Sequence, residues 1–425
     1  MAFYTIAEAA IISQKSQKTI RRHIAAGEIE ATKIQNKYRI NQAAFDLWNG
    51  STEYTKIVSI FDSIVPDKSS ENKSDEIDIS KEWDKDGWQN VNYRNGYNFI
   101  DLFSGAGGLS CGLTMAGFNP VSYVEIMPDA VETYKYNFNK QKKLVSEIDS
   151  QDICDEKVRN NLINSLNNTH IHLVAGGFPC QGFSMAGNRV VTDERNSLYL
   201  RMLDVVKRLK PEFVVMENVL GLRSMLGGKV EAKIIQDYKD IGYNVSIAVL
   251  NSADYKVAQL RKRVIFIGNR IGAKNYYPQP LLDEDHYITQ GECIEKYMDM
   301  PENKSINHIF TKHTDKIIKK IQELPEGCSL YENYSDSWKK SHWDKPSCTI
   351  KENHGGVNLH PKKPRALTPR ELAALQSFPD DFIFSGSKKS QLVQIGNAVP
   401  PLLGKAIGIA VMKSLDIANN TQRGK

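Results

Sequence analysis

From Asn98 onward, short apolar runs of strand length alternate with stretches of helical periodicity, and each run ends at a small or polar residue. That alternation predicts an α/β fold built on a parallel sheet. Phe99–Phe103 leads into Ser-Gly-Ala-Gly-Gly, Pro120–Val124 ends at Glu125, and Ile171–Ala175 ends at Gly-Gly-Phe-Pro-Cys180. Leu198, Met202, Val205, Val206 and Leu209 share one helix face. Pro211 stops that helix, and the strand Phe213–Met216 ends at Glu217-Asn218. Val245–Leu250 and Val264–Ile267 are two more strands, flanking Gln259-Leu-Arg-Lys-Arg263. Ligands of open α/β sheets bind beyond the carboxyl ends of the strands. Gly105, Glu125, Cys180 and Glu217 all fall at that edge, and Arg261 and Arg263 join them if the last two strands form a hairpin.

The chain of 425 residues is long enough for two or three domains. Its apolar runs read as strand-length, so no membrane span is expected. The N-terminus lacks the pattern of a signal peptide, so the expected location is the cytoplasm. The six cysteines form no Cys-x-x-Cys pair, which argues against a zinc ribbon or a disulfide framework. No metal is expected. A net charge of +5 permits a nucleic-acid partner without requiring one.

Two constellations point to chemistry. Asp101-Leu-Phe-Ser-Gly-Ala-Gly-Gly-Leu-Ser110 is a glycine-rich turn between a strand and a helix. Glu125, at the end of the next strand, suits the hydroxyls of a ribose. No phosphate-binding lysine follows the glycines, so a nucleoside cofactor such as S-adenosylmethionine fits better than a triphosphate; a plain tight turn is the alternative. Cys180 lies in a loop of Gly, Pro and Phe, where a merely buried cysteine is less expected, and a thiolate there is a strong nucleophile. Glu217 is placed to act as a general acid, and Arg261 and Arg263 to bind phosphate or a carbonyl oxygen. Taken singly, these three residues read as well as a helix cap and a solvated loop.

In their order, these motifs resemble the DNA cytosine-5 methyltransferase family of bacterial modification enzymes. The resemblance rests on Asp101–Gly108, Gly177-Phe-Pro-Cys-Gln-Gly-Phe-Ser184, Glu217-Asn-Val219 and Gln259–Arg263. It continues through Arg365-Ala-Leu-Thr-Pro-Arg-Glu-Leu372, Gln376-Ser-Phe-Pro-Asp-Asp-Phe382 and Gly396-Asn-Ala-Val-Pro-Pro401, covering about residues 97 to 410. It implies a Rossmann-like, S-adenosylmethionine-dependent sheet with helices on both faces and a smaller target-recognition domain inserted near the C-terminus. Cys180 would attack carbon 6 of a cytosine flipped out of the duplex, and Glu217 would act on ring nitrogen 3. Arg263 would contact the base carbonyl, and Arg261 the surrounding loop or backbone; both arginines are counted with the catalytic set. Phe103, Gly105, Gly107, Glu125, Asp152, Pro179, Asn397 and Val399 map to the cofactor, and Gln181 and Ser184 to the DNA.

The resemblance divides the catalytic domain into 93–270 and 361–425, with target recognition at 271–360. The insert carries His308, Lys312, His313, Lys340 and other basic residues, which set affinity through phosphates rather than specificity. Trp338 and Trp343 are core or contact with equal weight. Residues 1–60 resemble the winged helix-turn-helix of excisionase-like regulators. Thr5 caps a first helix, and Thr19–Ala26, ended by Gly27, carries Arg21, Arg22 and His23 as the DNA-facing residues. A two-stranded wing follows over 28–34 and 37–40, and Asn41 caps 42–48. Residues 61–92 read as a polar linker. The expected partners are double-stranded DNA and a cognate restriction endonuclease acting separately; the front unit either binds the chain's own promoter or only anchors the enzyme on DNA, with a small helical cap bearing solvated arginines as the plain alternative, and the catalytic unit is expected to be monomeric. The competing readings are a transfer-RNA methyltransferase and a DNA-binding protein with a dead catalytic domain.

Overall fold

The computed structural model describes residues 3–13, 16–25, 29, 31–34, 37–41, 45, 75–84, 88, 96–140, 151–179, 198–331, 338–351 and 358–423. The front of the chain forms a small unit. Strand β1 (Phe3–Tyr4) precedes the helices Ile6–Ile12 and Gln17–Ala25, and β2 (Ala31–Ile34) and β3 (Lys37–Asn41) follow. Thr5 and Glu8 cap the first helix reciprocally: the Glu8 N–H donates to Thr5 Oγ1, and the Thr5 N–H to the Glu8 carboxylate. The second helix starts at Gln17 rather than Thr19, because the Ser16 side chain accepts the Thr19 N–H. β1 pairs with β3, so the expected two-stranded wing is a three-stranded sheet. Ile6, Ala9, Ile20, Ile40 and Phe45 close its core. Gly27 and the helix expected over 42–48, apart from Phe45, lie outside the described residues.

The stretch expected to be a linker is corrected where it is described. β4 (Glu76–Ile77) pairs in parallel with the short strand Tyr277–Pro278, which is β11 in chain order. Ile79, Trp83 and Trp88 are buried. Lys405 donates to the Trp83 carbonyl and stands over its ring, and Lys413 donates to the Asp78 carbonyl and pairs with Glu82 at 2.8 Å. A polar average concealed a few apolar side chains that anchor the segment to the catalytic body.

The main sheet has six strands: β5 (Asn98–Leu102), β6 (Asn119–Val124), β7 (Leu173–Gly176), β8 (Phe213–Val219), β9 (Asn244–Asn251) and β10 (Lys262–Asn269). Their spatial order is β6-β5-β7-β8-β10-β9. The first four run in parallel, while β10 is antiparallel to both neighbours and forms a hairpin with β9. Alternate residues face opposite layers. Phe99, Phe213, Val215, Ile265 and Ile267 enter one core, and Ile100, Leu102, Val214, Met216, Val264 and Phe266 the other. Both faces are therefore apolar, which is why the strands read as continuous apolar runs.

One face is covered by the helices Gly108–Ala116 and Pro401–Arg423. The other is covered by Glu156–Ser165, Leu198–Leu209 and Lys229–Asp240. The long C-terminal helix is apolar on average and mostly buried, although Lys405 and Lys413 keep its uninterrupted apolar runs as short as a strand. Its contact with Gly108–Ala116 is close: a Cβ on Gly112 would sit 2.2 Å from the Pro401 carbonyl oxygen, and one on Gly408 would sit 2.7 Å from the Ala116 methyl. Between β11 and residue 360 the chain forms short helices, among them Gln290–Ile294 and Asp315–Glu323. Ile294 and Tyr297 there share a cluster with Leu372, Phe378 and Phe382 of the returning segment.

Candidate active site

At the carboxyl end of β5 the backbone turns through left-handed conformations at Phe103 (φ 60°), Gly105 (φ 54°) and Gly107 (φ 91°). The turn is held from the next strand. One Glu125 carboxylate oxygen accepts the Gly105 N–H at 2.8 Å, and the other accepts the Met127 N–H at 2.8 Å. Burial nevertheless pushes the Glu125 pKa above its ordinary value. Beside it, Ile126 is 57% exposed, an apolar surface at the cavity wall. Asp152 accepts the Cys154 N–H at 2.8 Å. These groups line a cavity of about 1060 Å³, together with Phe103, Pro179, Asn397 and Val399. Gly107 faces away from it. A Cβ there would meet Phe138 at 2.7 Å and Tyr134 at 2.9 Å, so its glycine is required by packing behind the turn.

The same cavity reaches Glu217, Arg261 and Arg263. Arg263 Nε lies 2.8 Å from Glu217 Oε1, and both side chains are 12% exposed. The hairpin sets this meeting. β10 runs beside β8 with Arg263 opposite Val219 and Ile265 opposite Glu217, so the arginine reaches diagonally to the carboxylate. Gly177 closes the other side, since a Cβ there would lie 3.2 Å from Glu217 Oε2. Asn218 is buried, and its amide donates to the Phe178 carbonyl at 2.9 Å. That bond ties the loop leaving β7 to the end of β8. The loop continues into Cys180, which, with Gln181 and Ser184, lies outside the described residues.

Arg261 has a different task from Arg263: it meets the surrounding backbone, as the resemblance implies, and so stands apart from the catalytic set with which it was counted. Its guanidinium is buried, and it donates to the carbonyls of Ile350 (2.9 Å), Gly396 (3.2 Å) and Ala398 (3.0 Å). Burial, and secondarily Arg263, lowers its pKa to about 9. Gln259 works alongside it, accepting the Ile350 N–H and donating to Gln376 Oε1, both at 2.9 Å. Gln259 and Arg261 thus fasten the returning C-terminal segment, including Asn397, over the cavity. Arg263 alone of the three turns to the carboxylate.

This arrangement agrees with the relationships of the chain. The model of the C-5 cytosine-specific DNA methylases matches residues 97–413, about three quarters of the sequence. The chain belongs to that family. The Type II methyltransferase M1.HphI of Haemophilus parahaemolyticus is 40% identical over 330 residues, covering 74% of this chain and 86% of that protein. M.DdeI of Desulfomicrobium norvegicum is 31% identical over 369 residues, covering 73% and 87%. A solved structure described as a DNA modification methyltransferase encoded within an E. coli prophage superposes with a TM-score of 0.62 at 25% identity, covering 76% of this chain and all of that one. This chain is thus a DNA cytosine-5 methyltransferase of Type II kind, and residues 3–48 match a helix-turn-helix model.

On the front unit of this methyltransferase, Arg21 and Arg22 are exposed and His23 is half-buried, all on Gln17–Ala25. The basic residues of the insert divide. His308 is buried, with Nδ1 3.0 Å from Thr368 Oγ1, and Lys340 donates to the carbonyls of Ile321 and Leu324. These two are structural and are withdrawn as phosphate contacts. Lys312, Lys319, Lys320 and Lys345 are exposed. Trp343 packs so closely on Gly291 that a Cβ there would lie 2.5 Å from its indole nitrogen; it is half-buried and leans on the cluster of Ile294 and Leu372. Sequence reasoning missed Asn218 and Gln259 as positioning residues; their place within motifs was the only signal.

Proposed function

We propose that this methyltransferase methylates carbon 5 of a cytosine turned out of duplex DNA, using S-adenosylmethionine. The observation that carries the reading is the Glu217–Arg263 pair on the wall of the cavity, beside the loop that enters Cys180. The residues present fit the cofactor. Glu125 offers carboxylate lone pairs to ribose hydroxyls, Asp152 suits an adenine amino group, and Phe103, Ile126 and Pro179 give apolar walls. Asn397 and Val399, held in place through Arg261, close the pocket. When bound, S-adenosylmethionine supplies an electrophilic methyl group.

The chain's own residues do the rest. The target base must leave the stack, because its ring atoms cannot be reached within it. The Cys180 thiolate adds to carbon 6. Glu217 holds a proton at ring nitrogen 3, so the electrons entering from sulfur make carbon 5 nucleophilic. Arg263 fixes the carboxyl group and presents its guanidinium to the base carbonyl. After transfer, the carbon-5 proton passes to solvent, its electrons form the carbon 5–carbon 6 double bond and expel the Cys180 thiolate, and the nitrogen-3 proton returns to Glu217, restoring the ring. Cys180→Ser should abolish methyl transfer in a tritiated-methyl assay while S-adenosylmethionine still binds; a fully active variant would refute the assignment. DNA carrying 5-fluorocytosine at the target should trap a covalent adduct, since carbon 5 then has no proton to lose.

Arg21 and Arg22 on an exposed helix favour a second DNA contact through the front unit. Its target is the chain's own promoter, which makes the enzyme its own regulator. Gel shifts of the full-length protein and an Arg21→Ala/Arg22→Ala variant on promoter and random DNA test this; equal preference in both proteins would remove it. The remaining parts of the reading are a separate cognate endonuclease, a cytoplasmic location and a monomeric catalytic unit. The helix-turn-helix favours DNA over transfer RNA as substrate. Bisulfite sequencing of DNA from expressing cells gives product and target sequence together.

A further inference from the structure

The glycine turn is backed by a stack of three aromatic rings. Tyr123 lies on Tyr134 at 3.9 Å between centroids, and Tyr134 on Phe138 at 4.1 Å. Phe138 and Tyr134 are the rings that a Cβ on Gly107 would strike, so the stack presses directly on the turn's backbone. It is also wired to β5: Tyr134 donates to Ser110 at 2.8 Å, and Ser110 to Asp101 at 2.6 Å. Trp88 covers the outer ring. Its indole meets Phe138 edge to face, with centroids 5.2 Å apart and planes at 77°, and it is buried. Trp88 comes from neither the sheet nor its helices, but from the segment that precedes the first strand of the sheet.

We propose that Trp88 is a positioning residue for the cofactor turn, acting through Phe138 on Gly107. The proposal rests on the reading of the cavity as the S-adenosylmethionine site. Held by Trp88, Phe138 has no room to swing from Gly107, and the Gly105 N–H stays aligned on Glu125. Loss of the indole frees Phe138 to tilt outward and leaves the turn backed by Tyr134 alone. The effect therefore falls on cofactor affinity, not on DNA binding or the chemical step. Trp83 is the internal comparison. It is buried in the same segment, but it packs in the cluster of Phe99 and Leu403 and beside Lys405, not on the stack.

The test uses full-length Trp88→Ala, Trp88→Phe and Trp83→Ala proteins. Calorimetry gives the Kd of S-adenosylmethionine, thermal melts give stability, and KM is measured for both substrates. Trp88→Ala should weaken cofactor binding about tenfold, with DNA KM and kcat within twofold at saturating cofactor. Trp88→Phe should restore most of the affinity. Trp83→Ala should lower the melting temperature while leaving the cofactor Kd within twofold. An unchanged Kd in Trp88→Ala overturns the proposal, and so does equal weakening in both alanine variants, which would mark a general loss of stability. If Trp88→Ala does not fold, Trp88→Phe and Trp88→Leu decide: a wild-type Kd in both overturns the proposal, and a graded loss supports it. Failure of the unaltered protein to bind S-adenosylmethionine would overturn the cofactor reading itself, and the proposal with it.

Discussion

Gly177→Ala adds one methyl group at the point where the loop leaving β7 meets Glu217. The new Cβ would lie 3.2 Å from Glu217 Oε2, closer than ordinary contact. Glu217 cannot simply turn aside, because Arg263 Nε holds its other oxygen at 2.8 Å. The carboxyl must retreat by about 0.2–0.3 Å. A full ångström of misplacement costs about 100-fold in rate, so this shift should lower kcat about 2.5- to fourfold, or about 0.5–0.8 kcal/mol. Stability should not fall. Gly177 is not among the residues of positive φ, so alanine restricts the unfolded chain and contributes about 0.4–1 kcal/mol to the fold. The assay is steady-state methyl transfer with both substrates saturating, alongside a thermal melt and the rate of adduct formation on 5-fluorocytosine DNA. Reduced kcat with an unchanged or raised melting temperature is the expected pair. Wild-type kcat would show that the position of Glu217 is not limiting, and a joint loss of rate and stability would show that the close contact disturbs the fold instead.

Arg261→Ala removes the donor to three buried carbonyls. It should destabilise the protein by about 3–5 kcal/mol, read as a lower urea midpoint at constant slope; an unchanged midpoint would show that the returning segment holds without it. Asp101 has its pKa pushed up to about 7, by burial and then by Glu125. A carboxyl raised above its unfolded value contributes stability that is complete below about pH 4 and is lost as pH rises to about 7, at roughly 1.4 kcal/mol per pH unit. Asp101→Asn should therefore flatten the fall in melting temperature between pH 5 and pH 7.5. Parallel profiles for the two proteins would refute that role.

Much of the sheet was legible because both its faces are buried, which makes Leu173–Gly176 or Phe213–Met216 visible as unbroken apolar runs. Strand ends were less so. β8 continues through Glu217 to Val219, since pairing with β10 extends it past its apolar part. The division of labour between Arg261 and Arg263 came only from the family resemblance and was not legible in the residues themselves. Both follow the same alternation, and only the hairpin register and the carbonyls of Ile350, Gly396 and Ala398 separate them. Those carbonyls lie 89 to 137 residues away in sequence. Gly107 read as a ligand-facing glycine because a turn pressed from behind by rings and one open to a ligand need the same residue. The anchoring through Ile79, Trp83 and Trp88 escaped because these three apolar side chains are diluted by charged neighbours.

The glycine-to-helix contact between Gly108–Ala116 and Pro401–Arg423 also makes this fold a long-range closure. Gly112 finds the partner for its bare face only on a helix that begins 289 residues further along the chain (401 − 112). Contacts of such sequence separation carry a large loop-closure cost before they reward folding. A chain interrupted ahead of Asn397 would lose the cavity-lining residues Asn397 and Val399 together with this helix, so nonsense mutations in the last motif should remove fold and pocket in one step.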